Sequence, residues 1–146
     1  MTGAGEGVDD VDLWIGFHDQ GGKLWSNDGD GTFSRAAPDA WPKVNAAGRI
    51  PDRHDCAWAD VNTDGRMDAY CTAGRGTNNP VKYERENELW LQLAPGAFTE
   101  VGQQWGVGEL CGRSHYTAFL DANGDLYPDL FVGNAPPRDD PDDPCN

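Results

Sequence analysis

Basic residues, histidine and uninterrupted apolar stretches are all scarce in this sequence. Its 11 Lys and Arg stand against 25 Asp and Glu, a formal net charge of −14, which argues against nucleic acid and anionic membrane surfaces as partners. No apolar run is long enough to insert into a membrane, and no apolar pattern is sustained at helical spacing. The three histidines, His18, His54 and His115, have no serine or cysteine nucleophile signature beside them, so a non-enzymatic protein is expected. No C-x-x-C spacing suggests zinc or redox work, and there is no N-x-S/T acceptor. Residues 1–7 are acidic and glycine-rich and carry no signal-peptide pattern. The Gly-x-Gly at Gly74 to Gly76 precedes no helix, so it is not a nucleotide signature.

Glycine and proline, by contrast, are plentiful at 19 and 10 residues, and mean hydropathy is −0.69. The 146 residues suit one domain with a single core, built from short strands and turns. The stretch Asp60 to Asp68, D-V-N-T-D-G-R-M-D, organises the rest. Oxygens of Asp60, Asn62, Asp64 and Asp68, with the carbonyl of Arg66, can close on one hard cation if the backbone wraps tightly, and Gly65 permits that wrap. Without a cation the crowded carboxylates repel one another, so the chemistry asks for Ca2+. The pattern returns 61 positions later as Asp121, Asn123, Asp125 and Asp129, with Tyr127 in the place of Arg66. His54 and Ala57 match His115 and Ala118 in the same register.

The remainder reads as repeat units. Val11 to Phe17 is a mostly buried strand equivalent to those leaving the acidic loops, but its own loop is lost, since Ala4, Glu6 and Val8 occupy the ligand positions. Lys23–Ser26 and Thr32–Arg35 flank the hairpin turn N-D-G-D-G, and this segment aligns without gaps with Glu88–Glu100. Asp28 and Asp30 are not expected to bind metal. Pro38–Arg53 and Trp105–Arg113 are irregular connections, and Thr72–Arg85 is a longer loop of the kind that displays a binding surface. The Pro- and Asp-rich segment after Asn134 is expected to be extended and solvated. Among the cysteines, a hairpin folded around the cation would bring Cys56 and Cys71 together, so a cross-strand disulfide is expected there. Cys111 and Cys145 then pair by elimination, two or four buried thiols being the alternative. Loops of this kind fill at extracellular calcium levels, which places the chain outside the cell or on its surface.

An EF-hand needs a glutamate at the twelfth loop position and flanking helices, whereas Cys71 and Val132 stand there and the exits have strand chemistry. Instead D-V-N-T-D-G-R-M-D-A-Y and D-A-N-G-D-L-Y-P-D-L-F-V-G-N, with the Leu-Trp hairpins and Gly-x-Phe segments, resemble FG-GAP/VCBS repeats over residues 11–134. The resemblance implies calcium-stabilised blades of secreted and cell-surface β-propellers, such as integrin-α-like heads. Each blade would hold four strands, with calcium between the first two. Carried over by position, the ligands are Asp60, Asn62, Asp64, the Arg66 carbonyl and Asp68, then Asp121, Asn123, Asp125, the Tyr127 carbonyl and Asp129. Leu126 departs from the pattern where Gly65 supplies the turn, which predicts a strained second loop.

The expected fold is therefore all-β, with antiparallel four-stranded blade-like repeats of about 60 residues forming a partial β-propeller of two to three blades. Residues 1–146 make one repeat domain. It comprises a partial first repeat (11–53) without a metal loop, a full repeat (54–114), a partial third repeat (115–134) and an acidic tail (135–146). The expected function is an extracellular calcium-stabilised structural or adhesive module, part of a larger propeller. One alternative is a subunit of a head-to-tail filament or ring that self-associates through open sheet edges. Another is a carbohydrate-binding module using exposed Trp41 or Trp105, whereas Trp25 and Trp90 are expected in the core.

Overall fold

The computed structural model describes residues 12–17, 22–36, 41–45, 48, 50–74, 86–109 and 113–135. The expectations for Ala4, Glu6 and Val8, for His18, for most of the Thr72–Arg85 loop, for Cys111 and Cys145 and for the acidic tail lie outside these residues. Nine strands are present among them: β1 (Leu13–Ile15), β2 (Lys23–Asn27), β3 (Phe33–Arg35), β4 (Arg53–Ala59), β5 (Asp68–Ala73), β6 (Glu88–Ala94), β7 (Ala97–Glu100), β8 (Ser114–Leu120) and β9 (Asp129–Asn134). They form three antiparallel sheets, β1-β2-β3, β4-β5-β6-β7 and β8-β9. The fold is all-β and blade-like, with no helix among the described residues.

Repetition extends to the pairing register. In the middle sheet Cys56 faces Cys71, Trp58 faces Ala69 and Ala59 faces Asp68. In the last sheet the equivalent pairs are Thr117 with Val132, Phe119 with Leu130 and Leu120 with Asp129. Both ladders carry a bulge at the same place, between Arg53 and Asp55 and between Ser114 and Tyr116. The first sheet repeats the outer strands: Trp25 faces Leu13 and Arg35 as Trp90 faces Ala69 and Glu100. Gly31 and Gly96, with φ of 90° and 72°, turn the equivalent β2–β3 and β6–β7 hairpins.

The middle sheet is covered on both faces, which is why all six residues of β5 are buried. Alternate β5 residues feed two cores. Ala69 and Cys71 pack with Trp41 and Trp90, joined by Trp14, Leu24, Trp58 and Phe98. Tyr70 packs with Leu89 and Val101, joined by Phe119, Leu130 and Val132 of the last sheet. Trp41, on the connection from β3 to β4, fills the seam between the first two sheets, its ring centroid 5.3 Å from both Trp58 and Phe98 and 6.2 Å from Trp14. At 3% exposure it is core, which corrects the expectation of an exposed sugar-stacking Trp41. A tryptophan on an irregular connection is legible as solvent-facing only if the connection lies outside the packing, and this one lies between sheets. Trp105 is exposed and Trp90 buried.

Two links bind the middle sheet. The Cys56–Cys71 disulfide joins facing residues whose Cα atoms are 4.1 Å apart. A buried bidentate ion pair joins β4 to β6: Arg53 donates from Nε and Nη2 to the two carboxylate oxygens of Glu88, and from Nη1 to the Pro42 carbonyl at 2.7 Å. Burial pushes the Glu88 carboxyl up from its ordinary value and the Arg53 charge pulls it down.

Candidate metal centre

The two acidic loops fold as one design. In the first, Asp60 accepts from the amides of Asp64 (3.0 Å) and Gly65 (2.8 Å), Asn62 Oδ1 accepts from Asp64 N, and Asp64 Oδ1 accepts from Arg66 N. In the second, Asp121 accepts from Asp125 (3.1 Å) and Leu126 (3.0 Å), Asn123 Oδ1 from Asp125 N, and Asp125 Oδ1 from Tyr127 N. Asp68 Oδ2 closes the first loop on Val61 N, and Asp129 Oδ2 closes the second on Ala122 N. The side chains of the expected Asp and Asn ligands therefore make equivalent bonds to backbone amides in both repeats, the second loop adding Gly124 N to Asp121 and Asn123 Nδ2 to Asp125.

The backbone reaches this shape through two left-handed residues per loop, at the same positions. Thr63 (φ 59°) and Gly65 (φ 83°) serve the first; Gly124 (φ 81°) and Leu126 (φ 71°) serve the second. Each loop thus has one glycine where the conformation is free and one side chain where it costs energy.

Charge is concentrated as the donor set requires. Burial pushes the Asp68 carboxyl above its ordinary value, the Gln92 and Val61 amides pull it down, and the charges of Asp64 and Asp60 push it up again. Asp121 is held below the ordinary range, chiefly by the Leu126 amide. Among the described residues no three carboxylate, imidazole or thiolate groups converge at coordinating distance; the loop carboxylates are turned onto backbone amides. The donors nevertheless fit a hard cation: all are oxygens, and the hydrogen-bonded carboxylate oxygens keep a further lone pair except Asp121 Oδ1, which accepts from both Gly124 N and Asp125 N.

Asp28 and Asp30, in the β2–β3 turn, are used by the hairpin itself. Asp28 accepts from Ser34 Oγ at 2.8 Å, and Asp30 from both the amide and hydroxyl of Thr32. Those hydrogen bonds hold the Asp30 carboxyl below its ordinary value.

Sequence reading missed two features near the loops. Asp68 Oδ1 also accepts from Gln92 N of β6 at 2.9 Å, and Arg66 Nε donates to the Gln92 carbonyl at 2.7 Å, so the first loop is bolted to a third strand. In the first sheet Asp12 Oδ1 accepts from Asn27 N, the counterpart of Gln92. The retained aspartate in a repeat without its loop was the one available signal. The second feature is the pairing of the two repeat-equivalent histidines with each other, Nδ1 to Nδ1 at 2.9 Å.

Three antiparallel sheets in common register, with Asx-rich hairpin loops joining equivalent strands, define a blade-type all-β repeat protein. Residues 9–71 match the FG-GAP-like repeat. The match takes in β1 to the first four residues of β5 with the first acidic loop, and the second loop repeats its Asp, Asn, Asp and Asp at the same spacing. No curated protein and no solved structure shows significant similarity to the chain. FG-GAP repeats are structural modules typical of extracellular proteins. Among the described residues no helix is long and apolar enough to cross a membrane.

Proposed function

We propose that this chain is an extracellular, non-enzymatic structural or adhesive module whose blades are locked by two Ca2+ ions. The observation that carries this reading is the duplicated hydrogen-bond network, which holds three aspartates and an asparagine in one nine-residue turn twice over. The first ion takes Asp60, Asn62, Asp64, Asp68 and the Arg66 carbonyl; the second takes Asp121, Asn123, Asp125, Asp129 and the Tyr127 carbonyl. Bound calcium neutralises the carboxylates that repel one another and fixes the strand pair leaving each loop. At about 100 times its dissociation constant, each ion adds roughly 2.7 kcal/mol by mass action.

Calorimetric titration should find two calcium ions per chain. Asp64→Ala and Asp125→Ala should each remove one and lower the melting temperature in calcium, while Asp30→Ala leaves the stoichiometry at two. Absence of calcium uptake, or an Asp64→Ala melt identical to the parent's, would overturn the assignment.

One observation favours self-association as the partner mode. Among the described residues β9 has β8 as its sole neighbour, and Asp129 is the repeat equivalent of Asp68, whose Oδ1 takes an amide from the next strand. A β6-like strand from a second copy laid on that edge would supply the donor. Light scattering in calcium and after chelation tests this: a monomer in calcium rejects it.

A further inference from the structure

We propose a second class of metal site, for a late first-row divalent cation such as Zn2+, between His54 of β4 and His115 of β8. It is separate from the acidic loops and uses different chemistry.

Both histidines sit at the bulges shared by the two ladders, between Arg53 and Asp55 and between Ser114 and Tyr116. A bulge re-aims its side chain out of the regular alternation. Here two equivalent bulges turn two imidazoles towards each other across the seam where β4 meets β8, with ring centroids 4.5 Å apart. Asp52 Oδ2 lies 3.2 Å from His54 Nε2. Asp52 accepts from that nitrogen, so the proton of a neutral His54 is on Nε2 and the Nδ1 lone pair faces His115. A carboxylate behind an imidazole that presents its other nitrogen is the arrangement that orients metal-ligating histidines.

With His54 neutral and its proton on Nε2, the His115 Nδ1–H donates to the His54 Nδ1 in the metal-free protein. A cation inserted there needs the His115 proton on Nε2 instead, a tautomer change with no net proton release. Two imidazole nitrogens at about 2.05 Å from a tetrahedral ion are ~3.3 Å apart, so the 2.9 Å pair has to open by a few tenths of an ångström and the two rings have to turn until their lone pairs converge on the ion. The seam also opens on a cleft of about 330 Å³ lined by Gly16, Arg53, His54, His115 and Tyr116, with room for waters to fill the remaining coordination positions. The His54 ring is held flat over Gly74, where a Cβ would lie 2.1 Å from its Cε1 and Nε2. Imidazole is a good ligand for Zn2+, Cu2+ and Ni2+ and a poor one for calcium, so the two kinds of site do not compete.

The test is Zn2+ titration of the full chain in saturating calcium. One zinc per chain is expected. His54→Gln and His115→Gln should each weaken it at least tenfold, and Asp52→Asn should weaken it by about 10- to 100-fold. Zinc binding that neither His54→Gln nor His115→Gln weakens overturns the proposal, as does the absence of binding. Should a variant fail to fold, Cu2+ bound to the His18→Gln protein gives an independent reading. Its paramagnetic resonance spectrum should show splitting from two imidazole nitrogens, and a spectrum with oxygen ligands alone overturns the site.

Discussion

The two acidic loops share sequence pattern, hydrogen bonds and backbone shape, yet they sit in different surroundings. The first belongs to a four-stranded sheet covered on both faces; Asp68 is fully buried and ties the loop to β6 as well as to itself. The second hangs from a two-stranded sheet, where, among the described residues, Asp129 ties only its own loop and Leu126 is 90% exposed. Tyr70 is 1% exposed, while its counterpart Phe131 is 58% exposed. The same local code thus makes the same loop, and the neighbouring strands decide how firmly that loop is held.

Removing Asp68 should separate the two loops most clearly. With calcium chelated, Asp68→Ala leaves two backbone amides without an acceptor, one of them in the sheet, and should cost about 3 kcal/mol; Asp129→Ala, which orphans one more accessible amide, should cost about 1 kcal/mol. Equal losses in chemical denaturation would show that the third strand contributes nothing. The disulfide offers a second contrast. Replacing Cys56 and Cys71 together by serine reopens a link of sequence separation 15 and should lose about 3 kcal/mol. Introducing Thr117→Cys with Val132→Cys, the facing pair of the other repeat, should form the equivalent bond and regain stability in the oxidised protein only.

Smaller effects follow from the left-handed residues. Leu126→Gly should stabilise the second loop by about 1 kcal/mol because it relieves a side chain at positive φ, whereas Gly65→Ala should destabilise the first by a similar amount. Opposite signs in thermal melts are the expected result; the same sign for both would contradict the backbone assignment. A last effect is alkaline and confined to the middle sheet. Burial pushes the Tyr70 hydroxyl up to about 12, and it donates to the Val107 carbonyl at 2.8 Å. The unfolded chain loses this proton near pH 10 and the folded chain near 12, so stability should fall as pH rises through that window. Tyr70→Phe should flatten that slope.

Much of the candidate site was legible because it is local. Asp60, Asn62, Asp64 and Asp68 bond to amides within seven residues of themselves, apart from Asp68 Oδ1, so their spacing alone specifies the turn. Cys56 and Cys71 were legible for the same reason, since a hairpin closing on the loop must bring them face to face. The strands themselves came out shorter than their patterns at β1, where Leu13–Ile15 replaces the expected Val11–Phe17, because the periodicity of a run says nothing of how many residues find a hydrogen-bonding partner.

The sequence by itself determined the repeat, its register and the two oxygen-rich loops, since each depends on chemistry within a single hairpin. Only the tertiary structure decided that Arg53 meets Glu88, that Trp41 is buried between sheets, that Asp68 reaches Gln92 and that His54 faces His115. These partners lie 24 to 61 positions apart where the hydrogen bonds record it. No local period encodes such a distance; it is set by how sheets stack and by which apolar faces must be covered.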